Sequence, residues 1–156
     1  MTKVLLALDP TPHSRKALEY AAGVLPHLPG CRVLILTVVT GIPYGTAEAI
    51  EAEAGGEAEV HGDEDHRQEL QEVETFLRGA AQVLFERGIP RERLETRTRP
   101  VNRGVAQDIF DEAAAEGCDT IVVGRRSLSK VKTLLLGSVS NSLMHISGGR
   151  AVWVVE

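Results

Sequence analysis

The residues best suited to chemistry lie in one glycine- and serine-rich segment, residues 124–141, with the sequence GRRSLSKVKTLLLGSVSN. Gly124 opens the segment, and the pair Gly137-Ser138 follows near its end. A glycine lets the backbone approach a ligand closely. A Gly-Ser pair at the start of a helix presents unpaired N–H groups at the positive end of the helix dipole. This combination is typical of a site that binds a phosphate or another anion.

Side chains of the same segment supply hydroxyl groups and positive charge. Ser138 and Ser140 can donate hydrogen bonds to an anion, and the chain is most basic here although its net charge is −5. A positive local field favours an anionic ligand. Exposed loop positions are nevertheless the commoner role of such side chains, so two interpretations remain for the basic residues, which are Arg125, Arg126, Lys130 and Lys132.

The hydrophobic pattern predicts the elements that position this segment. Continuous apolar runs predict buried strands, at residues 3–8, 33–39, 120–123 and 151–155. An alternating run predicts a half-exposed strand near a sheet edge, at residues 94–99. Apolar residues at helical spacing predict helices that begin near Pro12, Glu69, Val105 and Val139. This alternation predicts an α/β fold, a single domain over residues 1–156 with an open five-stranded parallel sheet covered by helices on both faces.

Open parallel sheets bind ligands beyond the carboxyl ends of their strands, where the strand order reverses. The reversal normally flanks the first strand, so residues just past strand ends are candidate ligand contacts. They are Asp9 after the first strand, Val39 at the end of the second, and Gly124 after the fourth. Asp9 also precedes Pro10, and aspartate is common in turns. A purely structural role for Asp9 in the turn into the first helix therefore stays open.

Composition narrows the function classes. The 156 residues are 43% hydrophobic, which allows a real core, and no apolar run approaches the roughly 20 residues that a membrane span needs. The acidic balance argues against general nucleic-acid binding. The N-terminal apolar run is too short for a signal peptide, so a cytoplasmic location is expected. Cys31 and Cys118 are predicted to be buried residues rather than a disulfide, with a redox role as the less favoured alternative.

Residues 41–66 are rich in Gly, Ala, Glu and Asp and predict a mobile acidic insertion. Its last six residues, HGDEDH at 61–66, place two histidines beside three carboxylates, a combination that could bind a metal. Because no helix is predicted there to hold such ligands, the favoured interpretation is a solvated acidic loop, and no metal site is assigned.

The glycine spacing around LLLGSVS resembles the universal stress protein family, whose pattern is Gly-x-x-Gly, nine residues, and then Gly-Ser or Gly-Thr. Gly124, the nine residues 128–136 and Gly137-Ser138 match it. Asp9 with Pro10 and Ser14 resembles the first turn of that family, and the AVWVV ending resembles its terminal strand. The resemblance covers the chain apart from 41–66, and it implies an adenine-nucleotide α-hydrolase-like, Rossmann-like fold.

Members with this motif bind ATP, so the resemblance implies an ATP site with Mg²⁺ on the phosphates. It implies that Asp9 contacts the ribose or adenine and that backbone near Val39 meets the adenine edge. The ribose and phosphates would lie among Gly124, Arg125, Ser127, Gly137, Ser138, Val139 and Ser140. No general base or catalytic motif is evident in the sequence, so no catalytic residue is assigned and at most slow ATP hydrolysis is expected.

Two positions depart from the family pattern. Ser127 stands where the second glycine belongs, and a side chain at positive φ would cost about 1 kcal/mol or more. Its hydroxyl could instead donate a hydrogen bond to the ligand. Ser127 therefore leaves an alternative function open, that of a nucleotide-free interaction protein with the same fold. The segment VNRGVAQDI, residues 101–109, also lacks the Gly-x-Pro-Ala that often precedes this helix in the family.

The final strand is predicted to form a sheet edge, where N–H and C=O groups would be left unpaired. The resemblance implies that it pairs antiparallel with its copy, giving a homodimer whose interface includes Val152, Trp153 and Val154. The alternative for Trp153 is packing beneath the last helix of its own subunit. The family resemblance thus implies a dimeric stress-response regulator, in which an unknown protein partner could sense whether nucleotide is bound.

Overall fold

The computed structural model describes residues 1–40, 61–125 and 138–156. The strands are β1 (Lys3–Ala7), β2 (Arg32–Val39), β3 (Leu94–Pro100), β4 (Thr120–Gly124) and β5 (Ala151–Val155). The helices are α1 (Pro12–Val24), α2 (His61–Glu86), α3 (Val105–Ala115) and α4 (Ser138–Ile146). The strands form one sheet in the order β3-β2-β1-β4-β5, and every neighbouring pair is parallel. The predicted five-stranded parallel α/β fold is confirmed.

The core lies in two layers, one on each face of the sheet. Successive side chains of a strand point to opposite faces, so Leu6 packs with α1 and α2 while Leu5 packs with α3 and α4. Both leucines are fully buried, and burial of a leucine stabilises the fold by about 1.5–3 kcal/mol. Cys31 and Cys118 are buried and free of disulfides, as predicted. Within the described residues, no helix has the length and apolar character that crossing a membrane requires.

Helix α2 extends further toward the N-terminus than the apolar pattern predicts. It is helical from His61, whereas the predicted onset is Glu69, so residues 61–66 are not the acidic loop that their composition suggests. The early turns carry exposed acidic residues, including Glu64 and Asp65, which complement the positive end of the helix dipole. They carry no apolar face, and the periodic signal therefore starts only near Leu70. Residues 41–60 of the predicted insertion lie outside the described residues.

The edge strand β3 is tied to α3 by an ion-pair network that sequence reasoning missed. Arg97 of β3 bonds to Glu112 of α3 and, at 2.5 Å, to Glu116, the residue that directly follows this helix. It also bonds to Glu95 of its own strand. Lys3 Nζ lies 2.7 Å from Glu116. Glu95 and Arg97 are two positions apart in β3, so their side chains share one face of the strand. This polar face of the predicted alternating strand contacts the α3 region instead of facing only water.

The network shifts the pKa values of its acids. Hydrogen bonds from Lys3 and from Arg97 lower the pKa of Glu116 to about 2. Partial burial opposes ionisation of Glu112, but hydrogen bonds from Arg99 and Arg97 outweigh it and lower the pKa of that carboxyl. Both acids therefore remain ionised to a lower pH than ordinary glutamates do.

Candidate functional site

The strand order reverses beside β1. The chain moves outward from β1 to β2 and β3, then crosses back to β4, which pairs with β1 on the other side and continues to β5. The last paired residues of the two central strands are Ala7 of β1 and Val123 of β4. In open parallel sheets, the crevice between such strand ends is the usual ligand site. Asp9 and Arg125, each just past a strand end, lie at the mouth of this crevice.

A ring of hydrogen bonds holds the Asp9 carboxylate. The Ser14 hydroxyl donates to Asp9 Oδ1 at 2.7 Å, and the Thr11 hydroxyl donates to the same oxygen at 2.5 Å. The backbone N–H of Asp9 donates back to Ser14 Oγ at 2.9 Å. Asp9 therefore has a structural role in the turn into α1. These hydrogen bonds use only one carboxylate oxygen, and the second oxygen is available for a ligand.

The end of β2 borders the crevice through Val38 rather than through Val39. The carbonyl of Leu36 accepts the N–H of Leu8 on the β1 side, and the carbonyl of Val39 accepts the N–H of Val101 on the β3 side. Backbone groups of alternate strand residues point to opposite neighbours. Those of Val38 therefore point to the β1 side, beyond the last β1–β2 pair, Ala7 and Leu36. The predicted adenine contact near Val39 fits the Val38 backbone best.

Ser140 joins the start of α4 to the end of β4. It is 1% exposed, and its hydroxyl donates to the carbonyl of Arg125 at 3.2 Å. The N–H of Arg125 donates to the carbonyl of Val155 at 2.7 Å, and its guanidinium pairs with Glu156. This hydrogen bond positions the first turn of α4 beside the end of β4, and the contact of Ser140 with a phosphate stays a prediction.

The other predicted site residues divide into three groups. Gly124 is buried at the end of β4, and Ser138 is the first residue of α4, so both stand at the carboxyl edge of the sheet. The side chain of Val139 packs against the core, which leaves only its backbone for a ligand. Ser127 and Gly137 lie outside the described residues.

A small cavity of about 150 Å³ adjoins the crevice on the α1 side. Its walls carry three basic side chains and one acidic one, from His13, Lys16, Arg125 and Glu156. Sequence reasoning missed His13 and Lys16, whose only signal is their three-residue helical spacing. That spacing places them on one face of α1, but only the packing of α1 beside β4 and β5 brings that face to Arg125.

No metal site is evident in the described part of the chain. No group of three or more His, Cys, Asp or Glu side chains there could hold an ion. The described portion of the HGDEDH segment follows a helix instead of folding into a coordinating loop. A divalent ion at the crevice would therefore depend on ligand atoms, such as phosphate oxygens, for most of its coordination.

Comparison with known proteins agrees with the geometry. The family model described as the universal stress protein family matches residues 1–155. The chain is 27% identical over 154 residues to universal stress protein YxiE of Bacillus subtilis strain 168, covering 93% of each chain.

Solved structures share the fold at lower identity. The universal stress protein of Archaeoglobus fulgidus in complex with dAMP has a TM-score of 0.63 at 22% identity, covering 100% of this chain and 98% of that one. A family member from Arabidopsis thaliana with AMP bound has a TM-score of 0.62 at 18% identity, covering 99% and 91%. A universal stress protein in complex with cAMP has a TM-score of 0.62 at 21% identity, covering 99% and 96%. With its parallel sheet, its switch-point aspartate and a family match over nearly its whole length, the chain belongs to the universal stress protein family.

Proposed function

We propose that this protein binds an adenine nucleotide, ATP with Mg²⁺, in the crevice between β1 and β4. The observation that carries the proposal is the position of Asp9, Arg125 and the first turn of α4 at the reversal of strand order. Related structures with AMP, dAMP or cAMP support an adenine ligand. The crevice combines a carboxylate acceptor with a helix start, the two chemical features that a nucleotide's donor groups and its phosphate require.

Each part of the nucleotide has a suitable partner on the chain. The Asp9 carboxylate suits a hydroxyl or amino donor of the nucleoside, and the backbone of Val38 suits the polar edge of the adenine. The N-terminal turn of α4 at Ser138 suits the phosphates. Mg²⁺, held by the phosphates, would neutralise part of their charge.

Calorimetry with ATP·Mg²⁺, ADP and AMP tests the proposal, after mass spectrometry has checked for nucleotide carried through purification. A micromolar site, about −8 kcal/mol, is expected in the wild type. Asp9→Ala and Gly137→Val should abolish binding, whereas Asp65→Ala, which removes an exposed acid of α2, should leave it unchanged. Absence of binding at millimolar ATP would overturn the proposal.

The competing function is a nucleotide-free interaction protein, because Ser127 replaces a motif glycine. The variant Ser127→Gly separates the two. If the wild type binds nucleotide, the variant should change its affinity little. If the site has been lost, the variant should gain binding that the wild type lacks.

A third candidate is slow ATP hydrolysis. Metal-dependent phosphate release from the wild type that is absent in Gly137→Val would support it. Release that persists in that variant would point to a contaminating enzyme. We expect no rapid turnover, since the sequence contains no recognised catalytic motif for ATP hydrolysis.

We further propose a cytoplasmic homodimer that acts as a stress-response regulator, pairing through β5. Support comes from the position of β5 at the sheet edge and from a cavity of about 460 Å³ beside Tyr20 and Trp153. Trp153 does not pack beneath α4. It meets Tyr20 of α1 edge-on, with ring centroids 6.2 Å apart. An additional protein partner would respond to nucleotide occupancy.

A further inference from the structure

Ser14 connects the backbone and the carboxylate of Asp9. Its hydroxyl accepts the Asp9 N–H at 2.9 Å and donates to Asp9 Oδ1 at 2.7 Å. Thr11 adds a second hydroxyl donor to the same oxygen. Two donors on one carboxylate oxygen fix both the rotation of the carboxylate and the direction of its other oxygen.

The support for this arrangement is rigid. Ser14 is fully buried in the first full turn of α1, next to the buried residue Ala17. A buried side chain on a helix has little freedom to change rotamer. Because a group held in its binding geometry loses little entropy when a ligand arrives, Ser14 can contribute to affinity without touching the ligand.

The remaining oxygen, Asp9 Oδ2, sets the chemistry of what can bind. Within residues 1–40, 61–125 and 138–156, none of the hydrogen bonds of Asp9 ends on Oδ2. An ionised carboxylate only accepts hydrogen bonds, so its ligand group must be a donor. Asp9 follows β1, directly beside β4, whose end is joined to the start of α4. A phosphate at that helix start would bring the attached sugar, rather than the more distant base, next to Asp9.

We propose that Ser14 and Thr11 are positioning residues, which hold Asp9 so that Oδ2 accepts a hydrogen bond from a ribose hydroxyl. This rests on the proposed nucleotide site. A site that hydrogen-bonds a ligand hydroxyl disfavours the analogue that lacks this hydroxyl. When the analogue binds, the carboxylate oxygen has lost its hydrating water and gains no hydrogen-bond donor in its place. The protein would thereby select nucleotides that carry ribose hydroxyls.

The test compares AMP with 2′,3′-dideoxy-AMP by calorimetry. The wild type should bind AMP about tenfold more tightly or better, the value expected for one hydrogen bond to a charged group. Ser14→Ala and Thr11→Val should bring this ratio to about threefold or less, mainly by weakening AMP binding. A general loss of structure would instead weaken both ligands alike.

Thr120→Val is the matched control. Thr120 is a buried threonine whose hydroxyl also bonds to an aspartate, Asp119, at 2.9 Å, but it lies at the amino end of β4. The control should keep the wild-type ratio.

The outcomes separate the two proposals. If the wild type does not bind AMP, the nucleotide site itself is wrong, and the positioning role falls with it. If the wild type binds AMP and its dideoxy analogue equally, the site stands and the ribose contact is overturned. If Ser14→Ala weakens both ligands in equal proportion, Ser14 is only structural and the positioning role is overturned.

Discussion

Two buried serines near the crevice donate hydrogen bonds to groups of the protein. Ser14 bonds to Asp9, and Ser140 bonds to the carbonyl of Arg125. The Ser14 hydroxyl thereby supports the carboxylate of Asp9, and the Ser140 hydroxyl joins the start of α4 to the end of β4. In the sequence the two are simply serines near glycines and an aspartate, so their residue type could not reveal which partner each would use.

The two cysteines are expected to react slowly in the native protein. Burial is the main cause that raises the pKa of Cys118 to about 11, and burial also raises the pKa of Cys31. Because the thiolate is the reactive form, a dithiobis-nitrobenzoate reagent at pH 7.5 should label both thiols at least about tenfold more slowly in buffer than in urea. Equal labelling rates in buffer and in urea would show that the thiols are accessible in the native protein, and would support a redox role for the cysteines.

At the scale of the elements, the pairing of β3 with α3 predicts acid sensitivity. The folded-state pKa of Glu116 is about 2, below the ordinary value of 4.5. Its ion pairs with Lys3 and Arg97 thus stabilise the fold above about pH 4.5, and this contribution is lost as the pH falls toward 2. Urea unfolding should show the free energy of unfolding declining across that window.

The variant Glu116→Gln isolates this contribution, because glutamine does not titrate. It should be less stable than the wild type at pH 7 and should lose less stability between pH 4.5 and 2. Glu74→Gln, which replaces an exposed acid on α2, should keep the wild-type slope. Parallel slopes for the wild type and Glu116→Gln would contradict a role for the network.

The entry to α3 depends on the backbone of Gly104. This N-cap residue has φ +115° and ψ 146°, a region that L-residues avoid, and a Cβ there would meet no atom within 4 Å. Gly104→Ala should therefore destabilise the protein by about 1–3 kcal/mol through backbone strain alone.

Gly79 provides a control substitution with the opposite expected effect on stability, which thermal or urea unfolding can measure. It lies inside α2, and a Cβ there also has open space. Gly79→Ala should stabilise the protein by about 0.5–1 kcal/mol, because alanine favours the helix. A Gly104→Ala variant as stable as the wild type would show that the loop before α3 can relax into another conformation.

At the scale of the whole molecule, β5 is an edge of the sheet formed by the described strands, and its backbone can pair with a second chain. The N–H of Ala151 and the carbonyl of Val155 face β4, where they bond to Asp119 and Arg125. By alternation, the backbone groups of Val152 and Val154 face away from β4. The proposed homodimer would use those groups.

The variant Val154→Pro tests the dimer without breaking the β4–β5 ladder, because proline removes one outward N–H and is tolerated on an edge strand. In sedimentation experiments the wild type should be dimeric and the variant monomeric. Trp153, the only tryptophan in the sequence, should emit at a shorter wavelength in the dimer because pairing shields it from water. A wild type that sediments as a monomer at every concentration would contradict the dimer.

The sequence by itself determined the strands, most helix positions, the parallel sheet and the family. These depend on local information, since apolar runs, helical spacing and the Gly124 to Ser138 motif can each be read within a few turns of chain. The same logic explains the late start predicted for α2, since its first turns carry charge but no apolar face. The sequence also indicated that Asp9 follows the end of the first strand.

Only the tertiary structure decided which polar side chains interact, both in the ion-pair network of β3 and at the candidate site. Arg97 meets Glu116 across 19 residues, Ser140 meets Arg125 across 15, and Lys3 meets Glu116 across 113. Whether a serine donates to a ligand or to a carbonyl depends on which strand lies beside it. A hydrogen bond requires two atoms within about 3 Å of each other, and only the packing of strands and helices brings residues so distant in sequence to that separation.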